Sequence, residues 1–158
     1  MSILAEALSL QLDKKEIKHS VHGDDKEGVI MMQQLPETKI TTTVLFLTED
    51  KTNSVSVRFY NFYKVEEQDK TGNLFFLLNK MNQRYRWGKI VLDGDDIMIS
   101  MDAIVTPFNI ADICVQLTIY GAQIADETYT ALEKLKKMTG KSIDYLLGML
   151  PDTTNYTE

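Results

Sequence analysis

The chain has 158 residues, 44% of them hydrophobic and 25% charged, a balance that supports one domain with its own core and excludes extensive disorder. Its 17 basic and 23 acidic residues leave a net charge of −6, and the basic residues gather in no cluster, which argues against a phosphate-binding surface and against nucleic-acid contact. A single cysteine, Cys114, excludes an internal disulfide framework and a cysteine-built zinc site.

Ser2 is a good helix N-cap, and Ile3, Leu4, Ala7, Leu8, Gln11 and Leu12 form a broad apolar face, so a first helix is expected to run to about Lys18. Ser20 to Glu27 is polar, with Gly23 and Gly28 as breakers, and reads as a connector. Val29 to Gln34 reads as a short strand ended by Pro36, and Ile40 to Thr48, rich in threonine, valine and leucine, as the next. Glu49 to Asn53 turns the chain into a third strand, Ser54 to Val65, where Val55, Val57 and Phe59 alternate with Ser56 and Arg58.

Beyond the polar stretch Glu66 to Gly72, Leu74, Leu77, Leu78, Met81 and Tyr85 recur at three- and four-residue steps and define the buried face of a central helix. Trp87-Gly88 ends that pattern. Lys89 to Asp93 then alternates, and Asp93-Gly94-Asp95 supplies a turn before Ile97, Ile99 and Met101, so the helix feeds a hairpin. After a connector at 103–108, Asn109, with Asp112 as an imperfect capping box, opens a long helix. Its stripe is Ile113, Leu117, Tyr120, Ile124, Ala131, Leu135 and Met138, weakened only at Thr128. Gly140 is its expected stop, Ser142 caps a short helix from Ile143 to Leu150, and 151–158 is a polar tail behind a single domain at 1–150.

The long helix, roughly 43 Å at ~1.5 Å per residue, outruns strands of about 20 Å, so the end of its stripe needs cover from the short C-terminal helix or from a second subunit. Gly121 inside this helix costs up to ~1 kcal/mol relative to alanine, which signals a close approach. Leu117, Tyr120, Gly121 and Ile124 are accordingly the expected contacts of a homodimer.

The glycines form no nucleotide fingerprint, and no cofactor is expected. His19 and His22, three apart in an extended segment, point to opposite faces and read as surface histidines, not as a metal site. Asp93-Gly94-Asp95-Asp96 lacks a calcium loop's bidentate glutamate, having Ile104 at the twelfth position, and reads as a turn. Cys114 beside the apolar stripe reads as a buried, unreactive thiol. With no basic leader region, Glu6 near the start and no apolar run of about 18 residues, the expectation is a cytoplasmic protein without a membrane span. No catalytic residue is expected.

Two groups of residues suit partner binding. Adjacent Met31 and Met32 cannot both face inward, and Met98 is out of phase with Ile97 and Ile99, so soft apolar side chains are expected on the outer sheet face. Asn79 and Asn82 lie three apart on the central helix. Asn82, at the edge of its apolar face, either hydrogen-bonds the backbone of the following turn or anchors a partner in a groove.

Leu78, Asn79, Lys80, Met81 and Asn82, then Gly88-Lys89, the strand ending at Asp93 and the long helix from Asn109, resemble the YbjN-domain family, also described as bacterial sensory transduction regulators. The resemblance covers residues 2–138 by element order, its motifs are short, and the helix at 143–150 lies outside the family pattern. It implies a fold like that of type III secretion chaperones, which commonly pair, with no catalytic residues to carry over. The expected fold is α+β: an antiparallel sheet of about five strands packed against an N-terminal, a central and a long C-terminal helix, in the order α-β-β-β-α-β-β-α. The expected function is a noncatalytic module, chaperone-like or a regulatory adaptor, that binds another protein chain on its sheet and helix surfaces. The alternative is a small-ligand-binding sensory regulator.

Overall fold

The alternating stretches pair into one six-stranded antiparallel sheet in the computed structural model, which describes residues 1–138 and Gly148. In chain order the described elements are α1 (Ile3–Lys14), β1 (Ser20–His22), β2 (Gly28–Gln34), β3 (Thr41–Glu49), β4 (Ser54–Tyr60), α2 (Gly72–Arg84), β5 (Lys89–Asp93), β6 (Asp96–Ile104) and α3 (Ile110–Lys137), with a 3-10 turn at Glu67–Asp69. Across the sheet the strands run β1-β2-β3-β4-β6-β5. The class is α+β as expected, with one strand more. β1 occupies the presumed connector, where Gly23 at φ +99° and Lys26 at φ +51° fold the chain so that Ser20 pairs with Ile30 and His22 with Gly28.

Two other boundaries move for the same reason, a residue in the left-handed region. Glu16 at φ +57° ends the first helix ahead of Lys18, and Asn61 at φ +62° deflects the third expected strand after Tyr60. The chain then rejoins the sheet. The Ile97 N–H donates to the Tyr63 carbonyl at 3.0 Å, and the Val65 N–H to that of Asp95 at 2.8 Å.

The helices α1, α2 and α3 cover one face of the sheet. Val29, Met31, Val44, Phe46, Val55, Val57, Phe59, Ile97, Ile99 and Met101 alternate onto that face and are buried. α1 lies over β2 and β3, α3 over β4 and β6, and α2 beside β5. The close approach at Gly121 is made by the chain's own sheet: a Cβ there would stand 2.3 Å from Phe59 Cε1 and 2.7 Å from Met101 Cε. The residues expected at a dimer contact are therefore largely internal. Leu117, Gly121 and Ile124 are buried within the chain, and only Tyr120, half-buried beside Trp87, reaches the surface.

The overhang of the 28-residue α3 has a cover that the sequence pattern did not suggest. The segment after β4 brings Tyr63 and Val65, and α2 brings Leu74, against Leu132 and Leu135, with the Tyr63 and Tyr129 rings edge to face at 5.4 Å. The alternative cover from Tyr145, Leu146 and Met149 lies outside the described residues.

α1 is fixed at its N-terminus by more than its cap. Ser2 Oγ accepts from the Ala5 N–H at 3.1 Å, and the Asp50 carboxylate, from the β3–β4 turn, accepts from the Ile3 and Leu4 N–H groups at 2.8 and 3.2 Å. A carboxylate at the positive end of a helix is favourable. Burial alone would raise the Asp50 pKa, but these backbone donors and the Ser2 hydroxyl together bring it below the ordinary carboxylate value. At α3 the expected capping box does not form: Asn109 holds the N-cap position, yet its side-chain oxygen accepts from the Thr106 N–H at 2.7 Å.

The sheet edges are protected. β1 is only three residues long, and β5 is sealed by Asn82, whose Oδ1 accepts from the Ile90 N–H at 2.7 Å while its Nδ2 donates to the Ile90 carbonyl at 2.9 Å. One carboxamide thus satisfies the outward pair of groups that an edge strand otherwise exposes. Lys89 Nζ closes the corner by donating to the Asn82 and Tyr85 carbonyls at the end of α2, at 3.1 and 2.8 Å. Both polar atoms of the Asn82 carboxamide are engaged in this clamp. Asn82→Ala is expected to cost about 1–3 kcal/mol, lowering the melting temperature by roughly 2–12 °C. A change under about 1 °C in a thermal melt would show that water replaces the clamp.

Candidate binding cleft

α3 carries a second apolar ridge beside its core stripe: Ala111, Val115 and Ile119 at four-residue spacing, with Cys114, Thr118 and Ala122 alongside. Leu8 and Leu12 of α1, with Ile17 beyond it, face this ridge, and Met31 and Phe46 of β2 and β3 form the floor between the two helices. The result is a cleft of about 450 Å3. Val115 and Ile119 stand at its mouth, Ile119 54% exposed.

Polar groups collect at one end. Gln33, Gln34 and Pro36 come from β2 and its turn, and Gln123 from α3. That end is held by Asp126, only 4% exposed, which accepts from the Glu37 N–H at 2.7 Å, the Thr38 N–H at 3.1 Å and the Thr38 hydroxyl at 2.6 Å. One residue on, buried Glu127 accepts from the Tyr85 hydroxyl and ties α3 to the end of α2. Both carboxylates sit in the middle of α3, where sheet, turn and α2 enclose the helix on several sides. The apolar stripe of α3 follows one face and does not point to them. Two acids between Ile124 and Ala131 were the available signal.

No charged side chain lines the cleft among the described residues. Its one ionisable lining group is the Cys114 thiol, which burial pushes up to about 12, so it stays protonated at neutral pH. The Thr118 hydroxyl is spent on the Cys114 carbonyl at 2.7 Å.

The residues nominated for partner binding do not converge. Met31 lines the cleft, whereas Met32 is 62% exposed on the opposite, helix-free face of the sheet, and Met98 is half-buried on that same face. Asn79 is exposed on α2, away from both. On the helix-free face the pairs Met32–Thr43, Thr43–Tyr60 and Met98–Val91 fall in one row, since Tyr60 follows Phe59, the partner of Ile99. A row of Met32, Tyr60, Met98 and Val91, interrupted on β3 by Thr43, therefore crosses the sheet from β2 to β5.

His19 is not a surface residue as expected. Its ring is almost fully covered and bridges the Ser9 hydroxyl at 2.7 Å and the Ile17 carbonyl at 2.8 Å, while His22 is exposed and meets Ser20. Among the described residues no group of histidine, cysteine or acidic side chains could hold a metal ion, and no helix is long and apolar enough to cross a membrane. No protein-family model, curated protein or solved structure matches the chain.

Proposed function

We propose that the protein is a noncatalytic binding module whose site is the cleft between α1 and α3, and that its ligand is a small, mostly apolar molecule. The observation that carries this reading is the cleft: about 450 Å3, aliphatic walls, carboxamides gathered at one end, and no charged side chain in the lining among the described residues. A lining whose sole ionisable group, among the described residues, is a protonated thiol supports binding over catalysis. A relationship to the YbjN family is part of this proposal, supported by the motif from Leu78 to Asn82 with Gly88-Lys89.

The fluorescent apolar probe N-phenylnaphthylamine tests it. Ile119→Glu places a carboxylate at the mouth on an exposed helix position, so the fold is retained while probe affinity is expected to fall at least about tenfold. Unchanged affinity in a folded variant would remove the cleft as the site.

A second reading, a chaperone-like or adaptor module holding another protein chain, is favoured by the helix-free face with Met32, Tyr60, Met98 and Val91 in one row. Changing Met32 and Met98 together to serine is expected to move the melting temperature by less than about 3 °C while reducing dye binding to exposed apolar surface. A loss above about 2 kcal/mol would place both side chains in the core.

A further inference from the structure

The cleft is polar at one end only, and what remains unpaired there defines a ligand class. Gln123 lies one turn before Asp126 on α3, and Asp126 holds Glu37 and Thr38, so Gln123, Gln33 and Pro36 meet at the same end. Gln34 donates to the Lys39 carbonyl at 3.3 Å, and Gln33 Nε2 to the Gln34 carbonyl at 3.1 Å. The Gln123 carboxamide has no partner among the described residues, and Gln33 keeps its side-chain oxygen. A donor and two acceptors are thus offered to whatever occupies that end. The Asp126 carboxylate holds the turn at that end through the Glu37 and Thr38 N–H groups, and the Lys39 ammonium is tied to the Pro36 carbonyl at 2.7 Å. The buried Asp126 carboxylate disfavours an anion there, and a charged group of either sign would enter a lining that holds no counter-charge among the described residues.

We propose that the cleft binds an elongated neutral amphiphile, its aliphatic chain along Leu8, Leu12, Ile17 and Phe46 and one uncharged hydrogen-bonding head, an alcohol or amide, on Gln33 and Gln123. At roughly 30 Å3 for a group the size of water, the cleft holds about fifteen such groups, the scale of a medium-length acyl or alkyl chain with its head. This rests on the cleft being the ligand site.

The test is displacement of bound N-phenylnaphthylamine from the full chain by dodecanol, by its methyl ether and by dodecanoate. Dodecanol is expected to act at about tenfold lower concentration than dodecanoate, and about fivefold lower than the ether, which has no donor. In a Gln33→Leu, Gln123→Leu variant the alcohol and the ether become equivalent. Should that variant unfold, Gln123→Ala alone, at a half-exposed helix position, carries the same comparison. A dodecanoate preference, or an alcohol advantage that survives removal of the carboxamides, overturns the ligand class while leaving the cleft as the site. Probe binding that is insensitive to Ile119→Glu overturns both.

Discussion

Replacing Asp126 by alanine is expected to cost about 3 kcal/mol and to lower the melting temperature by roughly 6–12 °C. The carboxylate is almost completely buried, and it satisfies two backbone N–H groups and one hydroxyl of the Glu37–Thr38 turn, some 88 residues away in the chain. Hydrogen bonds to a charged group are each worth about 1.5–3 kcal/mol, and truncation leaves donors with nothing to bind. Asp126→Asn is expected to fall between, since its remaining oxygen serves one side while its NH2 confronts a donor on the other. The turn carries Pro36 at the polar end of the cleft, so Asp126→Ala should also weaken N-phenylnaphthylamine binding at temperatures where the variant is folded. A melting temperature within about 2 °C of the parent would mean that water bonds the turn equally well.

Gly121→Val should be comparably damaging, at about 3 kcal/mol, with Gly121→Ala milder at about 1–2 kcal/mol. Alanine gains up to ~1 kcal/mol of helix propensity, but its Cβ would meet the Phe59 ring at 2.3 and 2.9 Å. Met101 Cε, the end of a flexible side chain, can yield, whereas Phe59 is fully buried and cannot swing out. Valine adds two methyl groups at the same point and must lift α3 from β4 and β6. Denaturant melts of both variants measure this, and a stabilised Gly121→Ala would show that the helix is free to shift.

The central helix and hairpin were legible because two periodicities follow one another without interruption. Leu74, Leu77, Leu78 and Met81 are buried as the helical spacing requires, and Gly94 at φ +61° makes the two-residue turn between Asp93 and Asp96. The family-like motif proves to be a structural device: Asn82 clamps Ile90, Gly88 leaves room for Ile124, and Lys89 closes α2. The split between Met31 and Met32 followed from strand alternation, but which faced out needed the sheet. β1 was hidden because three residues, two of them polar, carry no measurable period, and its pairing depends on left-handed turns at Gly23 and Lys26. The cleft was hidden because its walls come from α1, β2, β3 and α3, and no local pattern joins Leu8 to Gln123. Only the ridge of Ala111, Val115 and Ile119 beside the core stripe signalled that α3 has a second apolar face.

The most direct test of the cleft as the binding site is a methyl NMR titration of the isotope-labelled full chain with N-phenylnaphthylamine. The predicted result is saturable shifts at Leu8, Leu12, Ile17, Met31, Val115 and Ile119, with Met32 and Met98 unmoved. Shifts confined to Met32, Met98 and their neighbours on the helix-free face would contradict it and assign binding to the sheet instead.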